Sequence, residues 1–170
     1  LTTLDAAFEP EPARSVAVGV AWDDRCSPLV GNRILEAAAL LDAQPVDFPL
    51  PPGIGDAFMR EVADVHRDLF AEGADSYGTN VRAKIERCLE VTDAEAAEAA
   101  DRRSAYRQEA AAALGELDLL LTPTLAFVAP PLPDDEREIR EALIQFTFPF
   151  NALGWPALAL PAGPAEHGLP

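Results

Sequence analysis

Short unbroken apolar runs alternate along this chain with longer stretches in which apolar residues recur every three or four positions. Val16-Ala17-Val18-Gly19-Val20 is a run of the first kind and predicts a strand. Residues 28–43 are of the second kind. Leu29, Val30, Ile34, Ala37, Ala38 and Leu41 fall on one helical face, and Pro28 suits the first turn. PVDFPL at 45–50, closed by Pro51-Pro52-Gly53, predicts a second strand, so the three pieces make a strand, helix, strand unit, right-handed if its strands are parallel.

Asp56 is placed to cap a helix whose stripe is Phe58, Val62, Val65 and Leu69, with Gly73 near its end. A shorter helical stretch covers 80–89. Thr92 followed three positions later by Glu95 has the form of a capping box, and the alanine-rich helix it opens passes Tyr106 and Leu114 to stop at Gly115. Leu119-Leu120-Leu121 is continuously apolar, which predicts a strand covered on both faces and stopped by Pro123. Acids at Asp134, Asp135 and Glu136 suit a helix start, and Ile139, Leu143 and Phe146 continue its apolar face. Phe146, Phe148 and Phe150 then alternate around Pro149. In residues 157–160, small alanines alternate with leucines, predicting a further strand that lets another backbone come close. Residues 1–14 mix acids and prolines and read as a linker or irregular arm; residues 15–170 form one α/β unit.

At 170 residues the chain is long enough to bury roughly 70% of its unfolded surface. Its formal charge of −16, from 29 carboxylates against 13 bases, excludes a nucleic-acid or anionic-membrane partner, since phosphate binding runs on clustered Lys and Arg. No stretch reaches the roughly 18 apolar residues that span a bilayer, and no signal-peptide pattern opens the chain. Cys26 and Cys88 stand far apart in no metal spacing and read as reduced thiols of a cytoplasmic protein, although their number alone leaves a disulfide open. No glycine pattern indicates a nucleotide cradle, and no metal or cofactor is expected.

Two segments carry chemistry. Residues 118–131 read DLLLTPTLAFVAPP; after an acidic amphipathic stretch, residues 151–163 read NALGWPALALPAG, and His167-Gly168-Leu169-Pro170 follows. Thr122 and Thr124 stand at a strand's carboxyl end, where open α/β sheets place ligands. Asn151 tolerates left-handed backbone, and Gly154 is free in φ. The succession D-x-L-L-x-P-T, A-P, acidic helix, N-x-x-G-x-P-A-L-x-L-P-A-G and G-L-P resembles the carboxyl-terminal half of the amidase signature enzymes. That resemblance implies a partial amidase-signature fold, a mixed sheet of about four strands packed with helices.

It also implies an activity, hydrolysis of carboxamides by a serine nucleophile, a second serine joined through a cis peptide, and a lysine. The two family serines lie in a glycine- and serine-rich stretch. Here Ser15, Ser27, Ser76 and Ser104 are isolated, and the only lysine, Lys84, sits among Arg82 and Arg87 on a charged helix. No catalytic residue is therefore assigned. Since Leu1 is not an initiator methionine and the family runs on past G-L-P, the chain reads as an interior piece of a longer protein.

What remains is scaffold and pocket wall, with Thr122, Thr124, Phe127, Ile144, Phe148 and Asn151 as the substrate-binding candidates. Relatives that take glutamine resemble this chain but present an aspartate near position 144, so an apolar Ile144 implies an amide substrate with an apolar or aryl tail. His66 reads as a boundary residue, and Arg102, Arg103 and Arg107 as surface partners of carboxylates. An exposed sheet edge or apolar face left by missing flanking strands invites a homodimer. The competing expectation is a non-catalytic α/β module that pairs with a separate catalytic chain.

Overall fold

The computed structural model describes residues 15–131 and 139–170. The expected arm at 1–14 and the acids at 134–136 lie outside the described residues. The fold is α/β, as expected, built among the described residues on three parallel strands. Strand β1 (Val18–Val20) is central, with β2 (Gln44–Pro45) on one side and β3 (Leu119–Leu121) on the other. Val18, Gly19 and Val20 sit opposite Leu119, Leu120 and Leu121, while Gly19 and Val20 sit opposite Gln44 and Pro45. Beyond the ladder, Ala17 N–H donates to the Asp118 carboxylate at 2.8 Å and Ala21 N–H to the Leu121 carbonyl at 3.1 Å.

Strand alternation divides the core in two. Val20 packs with Ile34 and Ala38 of α1 (Pro28–Leu40), beside Leu121. Ala21, with Leu120 and Val46 alongside, joins Trp22, Phe48, Tyr106 and Phe146 in the larger cluster. Gly19 is required between its neighbours: a Cβ there meets Leu117 Cδ1 and Val46 Cγ2, each at 2.7 Å.

Between β2 and β3 the chain forms α2 (Gly55–Gly73), α3 (Thr79–Glu90) and α4 (Asp93–Leu114), with α2 packed on both others. The capping box is present in full. Thr92 Oγ accepts from Glu95 N–H, and the Glu95 carboxylate accepts from Thr92 N–H at 2.9 Å and Oγ at 2.8 Å. Two short helices follow, α5 (Arg140–Ile144) and α6 (Phe148–Leu153).

Several local expectations change. Ile54, not Asp56, is the N-cap of α2, and the stripe of Phe58, Val65 and Leu69 is exposed while Ala57 and Ala63 are buried. Helix packing here selected the small residues, which admit a closer approach. β3 is an edge strand among the described residues, so Leu119 is 53% exposed and the strand is not covered on both faces. The strand expected at 45–50 shrinks to Gln44–Pro45, because prolines at 45 and 49 withhold ladder donors. Residues 157–160 have no ladder partner among the described strands, which number three, roughly in keeping with the expected count of about four. Leu158 is 82% exposed there and Leu160 74%. All three strands run parallel, whereas a mixed sheet was expected.

Candidate functional site

Parallel strands gather their carboxyl ends at one edge. Leaving β1, the backbone turns sharply at Trp22, which takes φ 65, and enters a single turn at Asp23–Arg25. A tryptophan in this left-handed region is costly, and the core holds it there. Its ring stacks on Phe146 at 5.3 Å between centroids, meets Phe48 edge-on, and donates from Nε1 to the Phe48 carbonyl at 2.8 Å. Tyr106 reaches from α4 to the Pro49 carbonyl at 3.2 Å. Burial, helped by Glu109, pushes the Tyr106 phenol up to about 12.

After β3, Pro123 is buried, Thr122 and Phe127 are half-buried and Thr124 is exposed. This loop is tied to the start of α1 through Ser27 N–H, which donates to the Ala126 carbonyl at 2.7 Å. Leu50 and Phe148, packed against the aromatic cluster, line an open groove of about 430 Å³ together with Pro51, Glu141, Ala142, Ile144 and Gln145. Ile144 and Phe148, from α5 and α6, thus share one groove. Asn151 is exposed one turn along α6 from Phe148, and Thr122, Thr124 and Phe127 belong to the separate loop after β3. Asn151 is helical rather than left-handed; Gly154 takes the positive φ of 73 that ends α6.

The arginines of α4 face this region. Arg103 Nε donates to the Ala152 carbonyl at 2.8 Å and its Nη1 pairs with Glu61 at 2.9 Å; Arg107 Nε reaches the same carbonyl at 3.2 Å. Arg102 donates to the Gly53 carbonyl at 2.9 Å and pairs with Glu98. The sequence signalled carboxylate partners for Arg102 and Arg103, but not the backbone acceptors of all three arginines, which lie 45 to 49 residues away and leave no periodic trace.

Burial, reinforced by Asp23 and Asp24, pushes the Cys26 thiol up to about 11, and burial also raises Cys88. Both cysteines are free. Lys84 is exposed on α3, and His66 Nδ1 lies 3.3 Å from the Tyr77 hydroxyl. Among the described residues no cluster of His, Cys, Asp and Glu is arranged to hold a metal. None of their helices is long and apolar enough to cross a membrane.

Known proteins give these features a context. The chain is 30% identical over 115 residues to the protein named amidase AmiD in Mycobacterium tuberculosis, covering 65% of this chain and 24% of that one. It is 33% identical over 119 residues to a glutamyl-tRNA(Gln) amidotransferase chain of Parvibaculum lavamentivorans, covering 65% of this chain and 23% of that one. It therefore spans about a quarter of the length of these relatives. A crystal structure of an amidase superposes with a TM-score of 0.67 at 26% identity, over 89% of this chain and 40% of that chain. The same fold, at 21% identity and a TM-score of 0.59, occurs in a vestigial protein complex bearing on the origins of an s-triazine catabolic enzyme, over 71% of this chain and 28% of that one. The sequence model of the amidase family matches residues 13–170, nearly the whole chain. With that match, and a parallel β2-β1-β3 core within a fold that superposes on an amidase crystal structure, the chain belongs to the amidase family.

Proposed function

We propose that these residues form part of an amidase that hydrolyses carboxamide C–N bonds, supplying scaffold and one wall of the substrate pocket. The serine, cis-serine and lysine of the reaction belong, in this reading, to polypeptide outside the 170 residues. The observation that carries it is the meeting of Ile144 and Phe148 on one apolar groove, within the region the family matches. Leu50 and Pro51 extend that apolar wall, with Glu141 and Gln145 at its polar edge. Such a wall suits a small amide with an apolar or aryl tail. Thr122 and Thr124, at the carboxyl end of β3, are this reading's candidates for contact with the polar end of a substrate. The two free thiols accord with work in the cytoplasm.

The chemistry follows from the division of labour. A serine oxygen attacks the amide carbonyl, a lysine relays the proton through the second serine to the leaving amine, and water then releases the acid. This chain's part is to hold the substrate's tail so that the carbonyl meets the nucleophile, a contribution that lies in positioning. The isolated chain is expected to release no ammonia from phenylacetamide above background. Turnover that disappears on Lys84→Ala or Ser27→Ala would overturn the reading.

The isolation of the four serines also favours a second reading, a non-catalytic module that pairs with a separate catalytic chain. The residues encoded upstream of Leu1 decide between them. A glycine-rich segment with paired serines and a preceding lysine supports the first, and its absence supports the second.

A further inference from the structure

Phe148, on the groove, is met edge-on by Phe58 of α2, with ring centroids 6.4 Å apart and planes at 80°. A helix of six residues such as α6 has little stability of its own, and its last carbonyls have no partners within the helix. Its orientation therefore depends on ties to other elements. Arg103 provides two at once. Glu61, its ion-pair partner, follows Phe58 by three residues on α2, and Ala152, whose carbonyl it holds, follows Phe148 by four on α6. Residues three and four apart share a helix face, so the arginine bridge runs parallel to the ring contact, one turn along each helix.

The two arms of the bridge differ in strength. The Arg103 side chain is 22% exposed and Glu61 is 61% exposed, so solvent weakens the ion pair while the charge-assisted bond to the carbonyl is better protected. Glu61 fixes where the guanidinium stands, and the guanidinium, at 2.8 Å the shorter of the two arginine bonds to the Ala152 carbonyl, ties α6 to α2, whereas Arg107 at 3.2 Å has no such link to α2 among the described residues. A planar fork serves both directions together; an ammonium in its place reaches one of them well.

We infer that Arg103 is the positioning residue of the groove, clamping α6 to α2 so that the Phe148 ring is set for an apolar amide tail. The inference rests on the groove being the substrate wall proposed above. Phenylacetamide titrated into the 170-residue chain, followed through the Ile144 and Leu50 methyl resonances, reports on both. Arg103→Met is expected to weaken binding about fivefold, with partial recovery in Arg103→Lys and a smaller loss in Glu61→Gln. In a Phe148→Leu background the same Arg103→Met change is expected to cost little, because the ring it positions is gone. Native affinity in Arg103→Met, or an equal loss in both backgrounds, overturns the inference and leaves the groove standing. No binding by the native chain overturns the groove and the inference together. Should Arg103→Met fail to fold, Arg103→Lys and Glu61→Gln in the two backgrounds carry the test.

Discussion

Gly31 shows how one missing methylene decides local geometry. Alanine is the better helix former by about 0.5–1 kcal/mol, so Gly31→Ala within α1 ought to stabilise. A Cβ there lies 2.7 Å from the Asp23 carbonyl oxygen, a backbone atom in the tight turn that follows Trp22. The turn has no free rotamer with which to yield. Overpacking of this kind costs about 1–3 kcal/mol, which wins, and urea unfolding of Gly31→Ala should show a net loss. Tyr106 and Cys26 add an alkaline dependence. Their folded-state values are raised from 10.0 to about 12 and from 9.0 to about 11, so the unfolded chain ionises first. Their contribution is whole below pH 9 and is lost as pH climbs towards 12. Thermal midpoints measured from about pH 8 to 11 are expected to fall, less steeply in Cys26→Ala.

At the scale of elements, the capping box of α4 offers a clean test. Thr92→Ala removes the acceptor for Glu95 N–H and should cost about 1 kcal/mol in urea unfolding. The backbone and hydroxyl of Thr92 also hold the Glu95 carboxyl below its ordinary value. A depressed carboxyl stabilises above its unfolded value and loses that contribution as pH falls through the folded one. Glu95→Gln is therefore expected to flatten the acid limb of the stability profile below pH 4.5, read by circular dichroism. Helices proved legible because caps and period are written within one segment, as Pro28, Thr92 and Gly115 show. Strands are completed by partners, and residues 157–160 carry strand residues without a neighbour to pair with. The α2 stripe misled for a related reason. Period finds the apolar face, but Ala57 and Ala63 show that close approach decides which face is buried. In the candidate site, Ile144 and Phe148 were legible from their apolar character beside the N-x-x-G motif. Leu50, Pro51 and Arg103 were not, because they arrive from distant segments.

Taken whole, the molecule leaves Leu158, Leu160, Val65 and Leu69 more than half exposed. Scattered apolar residues are ordinary on a surface, but 157–160 also lie outside the three-stranded ladder of the described residues. Light scattering across a concentration series is expected to show self-association that Leu158→Lys combined with Leu160→Lys reduces. A native chain that stays monomeric throughout would show that these leucines attract nothing.

The central place of β1 has a temporal consequence. Ala17 bonds Asp118 across 101 residues of sequence, so β1 must wait for β3 before this three-stranded sheet of the described residues closes. At the usual pace of synthesis that wait is on the order of 5–20 s, during which α2, α3 and α4 have time to form among themselves. The nascent chain therefore carries a helical subassembly beside an unclosed apolar strand. A ribosome that pauses between α4 and β3 would prolong the interval in which that strand is open to chaperones.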